Sequence, residues 1–190
     1  NKLSSALTID IEDGINISMR DNFSIDMPPT NRVVRNTMIL LELFSRYQVK
    51  GTFFVLGEVA REFPELVKNI SQEGHEVGVH GYSHKQFFKL SYQEAKREII
   101  ETKVLLEDLT GKAINGHRAP AFSILPSTSW VLEILADLGI KYDSSIVPAA
   151  TSRYGWNNFP REIIEIDLKN HRSIIEAPIA VTNILWRSVP

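Results

Sequence analysis

Cysteine is absent from the 190 residues of this chain. Its absence excludes disulfide bonds, thiolate nucleophiles and thiolate-bound zinc together, so a metal site must rest on histidine and carboxylate ligands. The redox state of the compartment is left open for the same reason. Metal chemistry, if the chain performs any, has to use its five histidines and 23 acidic residues.

An excess of positive charge is also missing. Lysine and arginine together number 21 against 23 aspartates and glutamates, which gives a net charge of −2. A chain without a basic field does not favour nucleic acid or an anionic membrane as its partner. Glycine-rich phosphate loops of the two standard kinds are absent as well, which disfavours nucleotide binding.

Long apolar runs are missing too. No stretch approaches the roughly 18 residues that a membrane-spanning helix needs, and the first residues, NKLSSALTID, lack the basic-then-apolar plan of a signal peptide. Apolar side chains make up 43% of the chain, enough to bury one core. We therefore predict a soluble chain with a single domain over residues 1–190, and we leave its compartment open between cytoplasm and periplasm.

Segments typical of strands and of helices alternate along the sequence. Apolar runs of four to eight residues predict strands, while longer periodic stretches with capping residues or a closing glycine predict helices. Ser91 and Glu94 have the spacing of a capping box at the start of one helix. In chain order we predict a strand at 6–12, a helix at 31–48, a strand at 51–57, a helix at 58–74, a strand at 75–81, a helix from Ser91 to Gly111, a strand end at 114–120, a helix at 127–139, and strands at 140–145, 162–168 and 173–181.

This alternation implies right-handed crossovers and a parallel sheet, either doubly wound or closed into a barrel. Polar residues capable of chemistry fall at the C-terminal ends of several successive strands. An open sheet gathers its site at one switch point, whereas a barrel gathers it from many strand ends on one face. The pattern therefore favours an α/β fold of the barrel kind.

Three histidines lie within ten positions, at His75, His80 and His84. Residues four apart point to the same side in a helix and in a strand, so His80 and His84 can reach one ion. The alternative is a hydrogen-bonded polar loop without a metal. His75 starts the predicted strand, which carries it to the opposite end of the barrel, and we predict a structural role for it.

Three carboxylates follow the first predicted strand, at Asp10, Glu12 and Asp13. They repel one another unless a cation, an arginine or a proton compensates them, although a solvated acidic turn is the simpler alternative. Two imidazoles and one carboxylate would form a three-ligand site with open positions, the arrangement of a catalytic metal. A second carboxylate, left unligated, would then be available as a general base.

Two further polar residues follow later strands. Arg118, in GHRAPAFSI, is either a surface arginine or the partner of the unligated carboxylate, which it would hold ionised and correctly aimed. Asp143, in YDSS, either braces Arg118 or caps a loop. Both alternatives stay open on spacing.

These motifs resemble the polysaccharide deacetylases of carbohydrate esterase family 4, whose NodB-like domain is a deformed (β/α) TIM-like barrel. In this chain LTIDIED resembles the first motif, GTFFVLG the second strand, HGYSH the metal motif, RAPAFSI the third motif and YDSS the fourth. The Asp-x-Glu-Asp form of the first motif looks closest to the exosortase-associated branch. The resemblance implies about seven strands, and we expect the barrel to be incomplete at the C-terminus.

The resemblance also implies an activity. It is the metal-dependent hydrolysis of N-acetyl groups on amino sugars of a bacterial polysaccharide or oligosaccharide, a reaction at a carbon–nitrogen bond other than a peptide bond. A water activated by a divalent metal would attack the acetamide, and zinc is the default metal. Carried onto this chain, the implied metal ligands are Asp13, His80 and His84.

The remaining roles are carried over in the same way. Asp10 looks like the general base, Arg118 would orient that base, and Asp143 would brace Arg118. The backbone N–H of Ala121 would sit where the family places an oxyanion donor. Because the first motif contains an insertion, Glu12 is an alternative base, and Asp13 is the ligand under either alignment.

One family feature has no counterpart in the sequence. The family takes its general acid, a histidine, from a Leu-x-His motif on a late strand, and the late histidine here is His171 in a turn-like stretch. We therefore expect the chain to be truncated before its last strands. The alternatives are a non-catalytic carbohydrate-binding or scaffold protein with a degenerate site, and a metal-free, allantoinase-like amide hydrolase.

Overall fold

A computed structural model describes residues 6–149, 154–184 and 187–189 of the protein. The chain divides into two compact units. The first comprises residues up to 83 together with 101–114, and the second comprises 84–100 together with the residues from 115 onwards. The single domain that we expect from the sequence remains a prediction.

Among its described residues the first unit holds three strands that pair in parallel in the order β1-β2-β3. They are β1 (Thr8–Ile11), β2 (Thr52–Val55) and β3 (Glu76–Val79). Because parallel strands run in one direction, the residues that follow β1 and β3 emerge at the same edge. The helices of this unit are α1 (Gly14–Phe23), α2 (Asn31–Arg46), α3 (Gly57–Glu62) and α4 (Pro64–Gln72).

The central strand of the first unit is apolar along its length. Phe53, Phe54 and Val55 of β2 are fully buried. A strand that is covered on both faces reads as a continuous apolar run, which is why GTFFVLG predicts a strand without any alternation. On α2 the buried residues Val33, Thr37 and Leu41 follow the spacing of one helical face, whereas Asn31–Arg46 as a whole is rich in polar side chains.

The single helix that we expect over 58–74 is wrong, because the structure has α3 and α4 instead. They are separated at Phe63, whose φ of −127° and ψ of 63° lie outside the helical region. Pro64 explains the break: its ring disfavours the helical conformation of the residue before it, and it suits the first position of a new helix. The sequence analysis also missed α1, whose glycine, asparagine and β-branched residues have low helix propensity.

The predicted capping box is confirmed at the start of α5 (Tyr92–Thr110). The Ser91 N–H donates to Glu94 Oε2 at 2.8 Å, and the Glu94 N–H donates to Ser91 Oγ at 3.3 Å. The helix ends before Gly111, whose positive φ of 65° is the left-handed conformation that glycine adopts readily. The boundary between the two units falls inside α5, after residue 100.

The second unit contains a sheet in the order β4-β5-β7-β6 among its described residues. These strands are β4 (Gly116–His117), β5 (Tyr142–Asp143), β6 (Ile164–Asp167) and β7 (Ser173–Glu176), and α6 (Trp130–Asp137) precedes β5. A further antiparallel pair joins β8 (Thr182–Ile184) and β9 (Arg187–Val189). The strands β4, β5 and β7 are parallel neighbours.

The expectation of parallel pairing throughout is wrong at β6, which runs antiparallel to β7. The connection from β6 to β7 has five residues, too few for a crossover to a parallel neighbour. The α/β class is confirmed, and β1–β7, in the part of the chain that the structure describes, match the predicted number of about seven strands. None of the helices in the described ranges has the length and apolar character that crossing a bilayer requires.

Close packing around Gly57 leads to a prediction about stability. A Cβ at this position would overlap the Tyr82 ring and the Thr102 hydroxyl, whereas a Cβ at Gly14 would meet no atom within 4 Å. We expect Gly57→Ala to lower the free energy of unfolding by about 1–3 kcal/mol, as overpacking does. Urea unfolding followed by circular dichroism measures it, with Gly14→Ala as the matched control. Equal effects of the two substitutions would contradict close packing at Gly57.

Candidate functional site

In the first unit a buried imidazole faces two carboxylates. His80 follows β3 directly, Asp10 lies in β1, and Glu12 comes just after β1 on the same side as Asp10. His80 Nε2 lies 3.3 Å from Glu12 Oε2 and 3.9 Å from Asp10 Oδ2. The His80 side chain is 1% exposed, while those of Asp10 and Glu12 are 26% and 34% exposed. The carboxylates therefore lie at the solvent side of a buried histidine.

Backbone hydrogen bonds extend the strand pairing up to these residues. The Leu56 N–H donates to Ile11 O at 3.2 Å, and the His80 N–H donates to Val55 O at 3.1 Å. The strand ends that carry Glu12 and His80 are thus held by the sheet rather than by a mobile loop. Such rigid support is what a precise ligand site needs.

The His80 and Glu12 side chains fit a divalent cation. Two ligand atoms that each lie about 2.1 Å from one tetrahedral ion are about 3.4 Å apart. The 3.3 Å between His80 Nε2 and Glu12 Oε2 is close to that separation, and each side chain can offer one ligand atom to a shared ion. An imidazole and a carboxylate without thiolates suit zinc, cobalt, nickel or iron.

Asp13, which the resemblance implies as a ligand, lies in a different environment. It is the N-cap of α1: Oδ1 accepts the Ile15 N–H at 3.0 Å, and Oδ2 accepts the Thr30 N–H at 2.6 Å. Burial raises the pKa of Asp13, but hydrogen bonds from Thr30 and Ile15 and the charge of Arg32 outweigh burial and leave the pKa below its ordinary value. Both oxygens therefore bind the backbone, and the geometry favours Glu12 as the carboxylate beside His80.

An ion pair that the sequence analysis missed holds the segment after His80. Arg20 of α1 binds Glu58 of α3 at 2.9 Å, and its Nη2 donates to Ser83 O at 2.8 Å. The Asn16 side chain also donates to Glu58, at 3.1 Å. Asn16 and Arg20 are 42 and 38 positions away from Glu58 in the sequence. No local pattern could therefore have indicated these contacts.

The other two clustered histidines differ in their surroundings. His75 is buried against the rings of Phe44 and Phe53, and its Nδ1 accepts the Gly51 N–H at 3.2 Å. Burial, with a smaller contribution from the Lys50 charge, lowers the pKa of His75, which supports the structural role predicted for it. His84 is the first residue of the second unit, and its φ of 58° is uncommon for a residue other than glycine.

In the second unit Arg118 is buried rather than exposed at the surface. Its side chain donates from Nε to Ser144 O at 2.9 Å and from Nη2 to Ser144 Oγ at 3.0 Å. The residue is 5% exposed, so the alternative of a surface arginine is excluded. The Phe122 ring lies 5.9 Å from Arg118 Cζ, within the range of a cation–π contact.

Asp143 is fully buried, and its carboxylate is in hydrogen-bond contact with His117 and Ser145. His117 Nδ1 lies 2.6 Å from Asp143 Oδ1, and the Ser145 Oγ–H donates to the same oxygen at 2.7 Å. The Ser145 N–H donates to Oδ2 at 3.1 Å. Instead of Asp143, it is the neighbouring Ser144 that binds Arg118, so any bracing of Arg118 by Asp143 is indirect.

The backbone at Ala121 adopts an uncommon conformation. Ala121 and Phe122 have φ values of 49° and 51°, in the left-handed region that non-glycine residues rarely enter. Each such residue costs about 1–3 kcal/mol, and strain of this kind concentrates at functional sites. This observation supports a functional hypothesis for the N–H of Ala121.

Two buried groups in this unit were missed by the sequence analysis. His117 is fully buried beside the Phe87 ring, and Glu176 of β7 accepts the Ile146 N–H at 3.0 Å. Burial, followed by the charge of Asp143 and a side-chain hydrogen bond with it, raises the pKa of Glu176 to about 11. A glutamate inside the apolar run SIIEAPIAV was the available signal for a buried carboxyl.

Comparisons with known proteins agree on one family. The sequence profile described as polysaccharide deacetylase matches residues 23–142. A peptidoglycan deacetylase of Helicobacter pylori is 37% identical over 108 residues, 57% of this chain and 36% of the relative. A peptidoglycan-N-acetylglucosamine deacetylase of Bacillus cereus is 40% identical over 95 residues, 50% of this chain and 34% of the relative. The chain thus matches about a third of the length of these relatives.

A solved structure shows the same fold. The crystal structure of a proposed polysaccharide deacetylase from Mycobacterium smegmatis has a TM-score of 0.74 and 24% sequence identity, and the likeness covers 92% of this chain and 58% of that one. The likeness confirms the fold class predicted from the sequence. The finer resemblance, to the exosortase-associated branch, stays a prediction that rests on the Asp-x-Glu-Asp motif.

The buried carboxyl of Glu176 leads to a prediction about pH. In the folded chain its pKa is about 11 against an ordinary 4.5, so between these values the unfolded chain binds fewer protons and stability falls as pH rises. Glu176→Gln removes this loss. We expect the free energy of unfolding of this variant, relative to that of the unsubstituted protein, to rise steadily from pH 5 to pH 9, by at most about 1.4 kcal/mol per pH unit.

Urea unfolding at pH 5, 7 and 9 measures this difference. Glu165→Gln replaces an exposed carboxyl on the neighbouring strand β6 and serves as the matched control. A difference between Glu176→Gln and the unsubstituted protein that stays constant with pH would contradict a protonated Glu176.

Proposed function

Because the chain belongs to the polysaccharide deacetylase family, we propose that it removes N-acetyl groups from amino sugars of a bacterial polysaccharide by metal-dependent hydrolysis. The observation that carries this proposal is the buried His80 imidazole facing the carboxylates of Asp10 and Glu12. Two relatives are named as peptidoglycan deacetylases, and the name of the one from Bacillus cereus specifies N-acetylglucosamine, which supports a substrate containing that sugar.

The proposed metal ligands are His80, Glu12 and His84, and zinc is the proposed metal. His80 and Glu12 are proposed from their 3.3 Å separation. His84 is proposed because it follows His80 by four residues in HGYSH, the motif that resembles the family's metal motif. Glu12 takes the place that the resemblance gives to Asp13, since both Asp13 oxygens already accept backbone hydrogen bonds.

A bound divalent cation supplies a Lewis acid that polarises the acetamide carbonyl and makes water a stronger acid. Asp10, whose carboxylate is part-exposed beside His80, is the proposed general base that takes a proton from the attacking water. The proton that Asp10 has taken up then passes to the leaving nitrogen as the carbon–nitrogen bond breaks, so that acetate is released and an amine stays on the sugar.

A guanidinium and a backbone donor are proposed from the resemblance to the family. Arg118 is proposed to orient the base, a role that suits a buried guanidinium that donates two hydrogen bonds to Ser144. The Ala121 N–H is proposed to donate to the oxyanion that develops from the acetamide carbonyl. Its strained backbone supports this role, because strain is retained where a function requires it.

Acetate release from N-acetylglucosamine oligomers tests the proposed function. We expect release by the zinc-loaded protein, its loss in chelator and its return on adding zinc. His80→Ala should lower the rate at least about a hundredfold, because it removes a ligand of the activating cation. The matched control is His171→Asn at an exposed position, where asparagine accepts the positive φ of 56°.

Two results would contradict the proposal in different ways. Release that persists in chelator and in His80→Ala would favour a metal-free amide hydrolase. Oligomer binding without any acetate release would favour a carbohydrate-binding protein with a degenerate site.

A further inference from the structure

A buried cluster of hydrogen bonds continues the sheet where β4 and β5 end. These two strands pair over two residues each, Gly116 with Tyr142 and His117 with Asp143. Beyond that point the two segments are connected mainly by hydrogen bonds that involve side chains. We call the residues involved, His117, Asp143, Ser144 and Ser145, the His117 cluster.

The first half of the His117 cluster fixes the turn after β5. Within the cluster the Asp143 carboxylate contacts His117 Nδ1 at 2.6 Å, the Ser145 hydroxyl at 2.7 Å and the Ser145 N–H at 3.1 Å. A carboxylate that accepts a hydrogen bond from the backbone two residues later closes a tight turn. His117 thus anchors this turn from the neighbouring strand.

The second half of the cluster connects this turn to the backbone on either side of Arg118. The Ser144 N–H donates to His117 O at 2.9 Å, and the Ala119 N–H donates to Ser145 Oγ at 2.7 Å. Between these two contacts, Ser144 O and Ser144 Oγ each accept a hydrogen bond from Arg118. The direction of the guanidinium therefore depends on where the turn holds Ser144.

Burial raises the free-energy cost of losing any of these hydrogen bonds. His117, Asp143 and Ser145 are fully buried, and a buried polar group that loses its partner costs about 1–3 kcal/mol, or more when it is charged. The other ring nitrogen of His117, Nε2, is buried and has no hydrogen-bond partner among the described residues. The bond to Asp143 is therefore the polar contact through which the His117 side chain acts.

We propose that His117 is a positioning residue for Arg118: by anchoring Asp143 it fixes the turn whose Ser144 oxygens aim the guanidinium. The proposal rests on the function proposed above for Arg118. In this proposal Asp143 does not brace Arg118 directly. Its carboxylate fixes the turn, and the turn places Ser144, which binds Arg118. His117 does not touch the substrate in this scheme.

Hydrogen exchange of the Arg118 Nε–H tests the proposal without any assay of activity. This N–H donates to a buried carbonyl, so its nitrogen–proton NMR signal, assigned by its loss in Arg118→Lys, should exchange slowly. We expect His117→Leu to speed the exchange at least tenfold. His117→Asn should keep the exchange slow, because its amide nitrogen lies near the position of imidazole Nδ1 and can donate to Asp143.

Kinetics on the same variants give the second readout. His117→Leu should lower kcat for acetate release by about 10- to 100-fold with KM unchanged, since a misaimed guanidinium affects the reaction more than binding. His117→Asn should restore most of kcat. Loss of kcat in both variants, or in His117→Leu without faster exchange, would overturn the proposed route through Ser144.

The exchange measurement decides the proposal in the remaining cases. Unchanged exchange in a folded His117→Leu overturns it. If His117→Leu does not fold, Ser145→Ala removes the Asp143–Ser145–Ala119 connection and is judged by the same tenfold criterion. If the unsubstituted protein releases no acetate, the proposed function fails, and the exchange result still decides whether His117 positions Arg118.

Discussion

The candidate site of the first unit depends on one contact. A buried imidazole lies against two carboxylates. His80 is covered by protein, whereas Asp10 and Glu12 reach solvent. Two carboxylates beside one histidine favour a compensating positive charge, which is why a divalent cation is proposed there. Parallel pairing of β1, β2 and β3 makes the arrangement possible, because it brings residues that are about 70 positions apart in sequence to one edge.

The three acidic residues Asp10, Glu12 and Asp13 have different surroundings. Asp10 and Glu12 lie two positions apart and share one side of an extended chain. Asp13 falls on the other side, where it caps α1 and ties it to the start of α2 at Thr30. A helix N-terminus favours a negative charge, so Asp13 has a stabilising role that needs no metal. In the proposed function this division leaves Glu12 for the cation and Asp10 for proton transfer.

Much of the fold could be predicted from local sequence features. Apolar runs predict β1, β2 and β3, and the spacing of Ser91 and Glu94 predicts the start of α5, because propensity, burial and capping agree at these places. The break at Pro64 was missed although proline was visible, since the apolar periodicity on either side favoured one helix. The antiparallel strand β6 could have been predicted from its short connection to β7.

The candidate site was less accessible to sequence reasoning. The residue types and their order were enough for the resemblance, but Glu12 and Asp13 are neighbours, and which one faces His80 depends on where β1 stops and α1 begins. His117 and Glu176 depend on contacts between residues 26 and 30 positions apart, which no local pattern encodes. Burial of a histidine or glutamate becomes visible only once the strands are placed.

Anomalous diffraction at the zinc absorption edge, from crystals of the zinc-loaded protein, distinguishes Glu12 from Asp13 as the carboxylate ligand. We expect an anomalous peak within about 2.2 Å of both His80 Nε2 and a Glu12 carboxylate oxygen, while Asp13 keeps its hydrogen bonds to Ile15 and Thr30. A peak bound by Asp13 with Glu12 turned away, or no peak beside His80 at saturating zinc, would contradict this expectation.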